Sequence, residues 1–168
     1  SGSHGGQVAW AGSDRWNNVA AVTRVDFKPN VGSNFKAGSM MSAYHVPKVL
    51  LERKTITGTT ASVTFTLSGL SIPTNVKDLR VNIYGRSTGA AASIPIDMDI
   101  NSDTTTANYD NQFIYGYSST IAALQQTADR YVGSISGAGD TANIFNGGTI
   151  LFPQYANTSN FTHYLHMY

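Results

Sequence analysis

Apolar and polar residues alternate along much of this 168-residue chain. In DLRVNIYGR (78–86), Leu79, Val81 and Ile83 would lie on one face of a strand, with polar residues between them on the other. ASVTFTL (61–67) repeats the pattern. The alternation predicts strands with one buried face at 7–11, 19–28, 39–45, 48–57, 60–67, 78–86, 93–100, 111–117, 129–136, 148–153 and 160–168.

Turn-forming sequences such as KPNVGSN, TGTT, STGAAAS and FNGG separate these strands at short intervals. STIAALQQTA (119–128) is the candidate for a helical turn, and it is too short to connect parallel strands. Many short strands with regularly spaced turns indicate an all-β fold. We therefore expect an antiparallel β-sandwich, jelly-roll-like, with residues 1–168 in a single domain.

The composition narrows the classes of partner. Charged residues make up 12% of the chain, about half of the roughly 25% that is usual for soluble proteins. The net charge is +1, and Arg53-Lys54 is the longest basic run, so we expect no nucleic-acid partner. No stretch approaches the roughly 18 apolar residues of a membrane span, so we expect no membrane insertion.

Cysteine is absent, which excludes disulfides, thiol catalysis and thiolate metal sites. A small extracellular β domain without disulfides needs another source of stability, and we expect it to be a homo-oligomer.

IDMDINSD (96–103) places Asp97, Asp99, Asn101 and Asp103 at alternate positions, as at the start of a calcium-binding loop. The loop pattern then fails, because Ser102 replaces the expected glycine and Asn108 the expected glutamate. The favoured interpretation is a solvated strand face, with calcium binding as the alternative.

GAGDTA (137–142) matches a dinucleotide-binding pattern, but that motif has meaning only where it opens a helix. The following NIFNGGTILFP breaks at two glycines and continues as a strand, which indicates a loop. The spacing of His163 and His166 puts them on opposite faces of the last strand, so they predict surface or interface histidines rather than joint metal ligands.

Catalytic patterns are missing from the sequence. Glu52 is the only glutamate, and there is no G-x-S-x-G nucleophile elbow and no plausible carboxylate pair. We expect no catalytic residues and no cofactor, and therefore no enzyme.

Aromatic residues make up 11% of the chain and provide the candidate ligand contacts. Tyr115 and Tyr117 share a strand face with Phe113, and the other candidates are Tyr84, Arg86, Trp10 and Trp16, the two tryptophans flanking a predicted AGSDR turn. Exposed aromatic rings beside Asn or Asp would suit a sugar ring, whereas the alternative for each of them is core packing.

Three stretches resemble a small family of bacteriophage virion structural proteins. They are LLERKTITGTTASVTFTLSGLSIPTNVKDLRVNIYGRS, RYVGSISGAGDTANIFNGGTILFPQYANTSNF and WNNVAAVTRVDFKPNVGSNFKAGSMMSAYHV. The family has an A-x-T-A-N-x-F segment in the second stretch and an N-F-x-x-G-S ending in the third, although FPQY and AYH depart from its forms. The resemblance implies a multimeric β-sandwich of tail, fibre or capsid-surface type, without catalytic residues or cofactor.

The order of these stretches differs from that of the family, in which the LLERKT-like strand comes first and the NFKAGS-like strand last. We expect a module seam at 45–49, and joining Tyr168 to Ser1 would restore the family's order. We favour circular permutation, with a piece of a tandem array and strand exchange between subunits as alternatives.

These observations lead to two functional hypotheses. The first is a non-enzymatic module of a virion or extracellular surface, which would assemble with itself and with other virion proteins. The second is a carbohydrate-binding module that recognises a host-surface glycan.

Overall fold

The computed structural model describes residues 9–30, 33–46, 49–70, 77–117, 120–159 and 161–168. Within these ranges the chain forms strands and one short 3-10 turn at Thr106–Asn108. The strands are β1 (Ala9–Trp16), β2 (Arg24–Pro29), β3 (Met40–Val46), β4 (Val49–Thr55), β5 (Val63–Thr66), β6 (Asp78–Tyr84), β7 (Ser93–Ile100), β8 (Tyr109–Tyr117), β9 (Thr120–Thr127), β10 (Tyr131–Ser136), β11 (Thr149–Phe152) and β12 (Thr162–Met167).

The strands form two antiparallel sheets of unequal width. The larger has eight strands in the order β4-β3-β6-β11-β12-β1-β8-β9, and the smaller has four in the order β10-β7-β2-β5. The two sheets pack together, which confirms the predicted all-β sandwich. The jelly-roll form of this sandwich stays a prediction.

The alternating apolar residues fill the space between the sheets. Leu79, Val81 and Ile150 of the large sheet and Phe27 and Met98 of the small sheet are fully buried in one apolar cluster. Burying apolar surface is the main favourable contribution to folding, so this cluster holds the two sheets together.

The predicted helical turn at 119–128 is wrong, because Thr120–Thr127 forms strand β9 and pairs with β8 along its whole length. Its Ala, Leu and Gln residues favour helix as an isolated segment, but the backbone pairing with β8 overrides that preference. The predicted AGSDR turn is also wrong, because these residues continue β1 as far as Trp16.

The seam and the two ends of the chain lie in different parts of the large sheet. β3 and β4 are antiparallel neighbours on either side of residues 47–48, which lie outside the described residues. β12 lies between β11 and β1 of the same chain, with Ala11 opposite Met167. Adjacent terminal strands are the geometry that circular permutation needs, and permutation stays a prediction.

Candidate functional site

The large sheet ends in β8 and β9, beside β10 at the edge of the small sheet. The inward Tyr109 and Asn111 of β8 still contact the small sheet, because the Tyr109 hydroxyl accepts from the Ile100 amide and the Asn111 side chain donates to the Tyr131 carbonyl. The inward Leu124 of β9 is instead 42% exposed, and we call β8 and β9 together the overhang. Its inward face and the edge of the small sheet enclose an open groove with a volume of about 430 Å³. Ligand pockets in proteins commonly have volumes of about 300–1,000 Å³. The groove is lined by Asn30, Ser93, Pro95, Phe113, Tyr115, Leu124, Gln126, Asp129, Tyr131 and Ser134.

Aromatic rings form one wall of the groove. The rings of Phe113 and Tyr115 lie 6.0 Å apart on β8, and that of Tyr131 on β10 lies 5.6 Å from Phe113. Phe113 is buried, whereas Tyr115 and Tyr131 are half-buried. Phe113 and Tyr115 therefore lie on one face of β8, as their spacing predicts, and both line the same concave surface.

Polar groups lie beside these rings. The Tyr131 hydroxyl is 3.1 Å from Ser134 Oγ, and Asp129 Oδ1 accepts a hydrogen bond from the Tyr131 amide at 3.1 Å. Burial raises the pKa of Tyr131, so its hydroxyl keeps its proton and can donate a hydrogen bond. An apolar ring surface with a few fixed polar groups at its rim is typical of small-molecule sites.

The overhang also has a free edge. β9 is the terminal strand of its sheet, and its sequence TIAALQQT contains no charged residue. The opposite terminal strand, β4, carries Glu52, Arg53 and Lys54 in succession. Charged side chains on an edge strand discourage pairing with another chain, and β9 lacks this protection.

The outward face of the overhang and its neighbours carries exposed apolar side chains. A cross-strand row runs from Met167 through Ala11 and Ile114 to Ala123. Met167 and Ile114 are 62% and 58% exposed, and Ile121 of β9 is 81% exposed. A contiguous apolar surface of this kind is a common feature of protein interaction sites.

Trp16 and Arg86 are not ligand residues, which corrects two sequence predictions. Trp16 is 1% exposed in the core, and its indole N–H donates to Asp103 Oδ2 at 2.9 Å. Arg86 is 3% exposed, and its guanidinium donates to the carbonyls of Asp140, Thr141 and Ile144. It thereby fixes the 140–144 loop.

The remaining candidate ligand residues lie away from the groove, or their side chains lie outside the described residues. Tyr84 is exposed at the end of β6, and its ring stacks on Phe145 at 5.6 Å. The side chains of Trp10 and Tyr117 lie outside the described residues, although their backbones belong to β1 and β8.

All four candidate calcium ligands already accept hydrogen bonds from protein groups, and the partners of Asp99 and Asn101 are the most extensive. Asp99 is 1% exposed and pairs with both Lys28 and Arg130. Asn101 accepts hydrogen bonds through Oδ1 from the amides of Thr23 and Arg24. The interpretation of this strand as a solvated face is therefore wrong at Asp99, where two cations compensate the buried charge.

Asp97 and Asp103 differ in their surroundings. Burial raises the pKa of the half-buried Asp97, although Arg130 opposes this effect. Burial also acts to raise the pKa of Asp103, but hydrogen bonds from Trp16, Asn108 and Thr105 outweigh it and hold that pKa below its usual value. Among the described residues there is no group of three or more His, Asp or Glu side chains that could hold a metal ion.

A buried Asp–His pair escaped the sequence analysis. His166 Nδ1 lies 2.8 Å from Asp14 Oδ2, and both side chains are fully buried between β12 and β1. The prediction of a surface or interface histidine is therefore wrong for His166, whereas the predicted opposite orientation of the exposed His163 is confirmed. The alternation in THYLHM, where Thr162, Tyr164 and His166 point inward, is the signal that could have revealed it.

Eight of the ten residues named above as lining the groove were also missed, all except Phe113 and Tyr115. Leu124 and Gln126 belong to the segment predicted as helix, and Tyr131 comes from the other sheet. The loop prediction for GAGDTA is confirmed, because residues 137–142 form turns rather than the start of a helix.

The described part of the chain contains no helix with the length and apolarity needed to cross a membrane. No protein-family model matches the chain, and neither the curated proteins nor the solved structures include a significant match.

Proposed function

We propose that this chain is a non-enzymatic structural or surface module of a virion, of the tail, fibre or capsid-decoration type, that assembles with copies of itself. The uncharged edge of β9 is the observation that carries the self-assembly. An edge strand presents a row of backbone amides and carbonyls to a partner strand, and charges on the edge are the usual protection against such pairing. The location on a virion or extracellular surface comes from the sequence resemblance alone.

The apolar outward face supports the same proposal. Ile114, Ile121 and Met167 expose apolar side chains on the surface that continues from the β9 edge. A partner strand that pairs with β9 lies beside it in the plane of the sheet and shields part of Ile121 from water, which adds to the backbone hydrogen bonds. Ile114 and Met167 lie farther from this edge and offer an apolar face for contact with other virion proteins.

The test is the mass of the purified chain in solution, measured by light scattering at micromolar concentration. We expect an oligomer for the wild type and a shift to monomer for Ala123→Lys, which places a charge on the β9 edge strand. The matched control is Ala61→Lys in an exposed turn, which should leave the mass unchanged. A wild-type chain that is strictly monomeric would overturn the proposal.

A second candidate function is carbohydrate recognition in the groove. It is favoured by the half-buried rings of Tyr115 and Tyr131 beside the polar groups of Ser134 and Asp129. Aromatic rings supply a flat apolar surface for the carbon–hydrogen face of a sugar, and neighbouring polar groups can bond its hydroxyls.

A glycan array, read with and without calcium, tests this function. We expect binding that Tyr115→Ala reduces at least about tenfold, which corresponds to about 1.4 kcal/mol. Tyr84→Ala removes an exposed ring outside the groove and should bind as the wild type does. Gln126→Ala at the groove gives a second variant if Tyr115→Ala fails to fold, and an array without signal would exclude this function.

A further inference from the structure

We propose that two copies of the chain join their large sheets through antiparallel pairing of β9 with β9, about a two-fold axis that passes beside Leu124. This inference rests on the proposed self-assembly and specifies its interface. Since a two-fold interface uses the same surface on both copies, one edge strand is sufficient to form it.

The backbone directions decide which groups β9 offers to a partner. The carbonyl of Tyr109 on β8 accepts a hydrogen bond from Asp129, which follows β9, whereas the amide of Gln112 donates to Asp14 on β1. Successive residues of a strand direct their amides and carbonyls to opposite sides. Asn111, Phe113 and Tyr115 therefore direct theirs toward β9.

The register of β8 with β9 carries this assignment across the sheet. Asn111, Phe113 and Tyr115 lie opposite Gln126, Leu124 and Ala122, which therefore direct their backbone groups toward β8. The intervening residues of β9 therefore point their backbone amides and carbonyls to the free edge. These residues are Ile121, Ala123, Gln125 and Thr127.

These edge-facing residues select the position of the axis. With the axis beside Leu124, Ile121 pairs with the partner's Thr127 and Ala123 pairs with the partner's Gln125, so each of the four finds a partner. With the axis beside Ala123, the pairing would end at Gln125 and leave the backbone groups of Thr127 without a partner in the described strand. Every unpaired backbone group weakens the interface, so the first register is favoured.

The side chain of Leu124 supports this register. Leu124 points to the groove side of the sheet, opposite Phe113, yet it is 42% exposed because the small sheet does not reach it. In the proposed pairing it lies directly opposite the partner's Leu124 in a non-hydrogen-bonded pair, where the two Cα atoms are about 4.5 Å apart. The two leucines would then cover each other.

Charge favours a second copy as the occupant of this edge. Pairing β9 with the β4 edge of another copy would place Glu52, Arg53 and Lys54 along a strand without charges, and it would build an open chain of subunits. The segment SGSHGGQV at the start of the chain is rich in glycine, which weakens a strand. A second β9 is uncharged and closes the assembly.

The absence of cysteine makes disulfide trapping a clean test. We expect Leu124→Cys to form a covalent dimer on mild oxidation, seen on a non-reducing gel and reversed by reductant. Ala122→Cys and Gln126→Cys are controls on the same strand face. Each lies about 14 Å from its own copy in the proposed register, beyond the roughly 7 Å limit for a disulfide, so neither should form a dimer alone.

Mixing Ala122→Cys with Gln126→Cys should form the covalent dimer, because these two positions lie opposite each other in the proposed register. This mixture keeps the test valid if Leu124→Cys weakens the interface. An oligomer by light scattering without either cross-link would overturn the β9 interface and leave the self-assembly standing. A monomeric wild type would instead overturn the self-assembly itself.

Discussion

Apolar and polar residues alternate both in the covered part of the large sheet and in its overhang, but the inward residues of the two parts differ in exposure. In β6 and β11, which lie over the small sheet, the inward residues Leu79, Val81, Ile150 and Phe152 are fully buried. On β9 the inward Leu124 remains 42% exposed. The covered part therefore contributes most of the apolar burial that stabilises the fold, whereas β9 at the end of the overhang keeps its surfaces available for ligand or partner.

The largest expected effect is a cavity in the covered part. Phe152→Ala should lower the free energy of unfolding by about 3–5 kcal/mol, because it removes a fully buried ring that packs on Tyr164 at 5.6 Å. Leu124→Ala on the overhang should cost about 1 kcal/mol or less. Urea denaturation of dilute, monomeric protein measures both, and equal losses would show that the overhang is part of the stabilising core.

The next largest effect concerns two carboxylates in ion pairs, one buried in the small sheet and one more exposed on the overhang. Asp99→Asn should cost about 2 kcal/mol in urea denaturation, since it leaves Lys28 and Arg130 facing each other without the buried carboxylate. Asp110→Asn on the overhang removes one partner of the more exposed pair with Arg15 and should cost less than about 1 kcal/mol. A larger loss for Asp110→Asn than for Asp99→Asn would contradict this difference.

How far the sequence predicts the fold depends on whether local pattern or distant packing decides each element. The alternation in SIPIDMDI predicts 93–100, where β7 lies at Ser93–Ile100. The AGSDR segment looks like a turn because of Gly12, yet this glycine makes room for a neighbour. A Cβ there would lie 2.6 Å from His166 Nε2, so the reason for the glycine lies on another strand.

The groove, too, could be predicted only where its residues are neighbours along one strand. Tyr115 and Phe113 can be assigned to one face of a strand from their spacing, because that spacing is local. Tyr131 and Asp129 join them only because β10 ends the small sheet below the overhang. Similarly, Tyr84 and Arg86 look alike in the sequence, as two alternate residues of one predicted strand. In the structure the Tyr84 ring is exposed, whereas the Arg86 guanidinium is buried and donates to three carbonyls.

The two edges of the large sheet can be made alike. Replacing Glu52, Arg53 and Lys54 by threonine removes the charges from β4 and should give it the pairing tendency that we assign to β9. Light scattering should then show species larger than the wild-type oligomer, because each copy would have two edge strands that can pair with another copy. If the mass stays unchanged, charge is not what distinguishes the two edges.

The smallest expected effect concerns Asp97, on β7 opposite Tyr131 of the groove. Its pKa is raised above 3.8 by burial, so the folded state holds this proton at pH values where the unfolded state has released it. Stability from this group therefore falls as pH rises through that window, and the penalty is complete above the folded-state pKa. Asp97→Asn removes the penalty and should raise the free energy of unfolding at pH 7 by no more than about 1 kcal/mol.

This gain should disappear below about pH 3, where Asp97 is protonated in both states because the pH is well below 3.8. Asp103 gives the opposite sign, because its lowered pKa adds stability above the usual value of 3.8 that is lost as pH falls through the folded-state pKa. Asp103→Asn should therefore lower stability at pH 7 and less so in acid. Urea denaturation of the wild type and both variants at the two pH values measures these differences, and a gain from Asp97→Asn that grows in acid would show that burial does not penalise its charge.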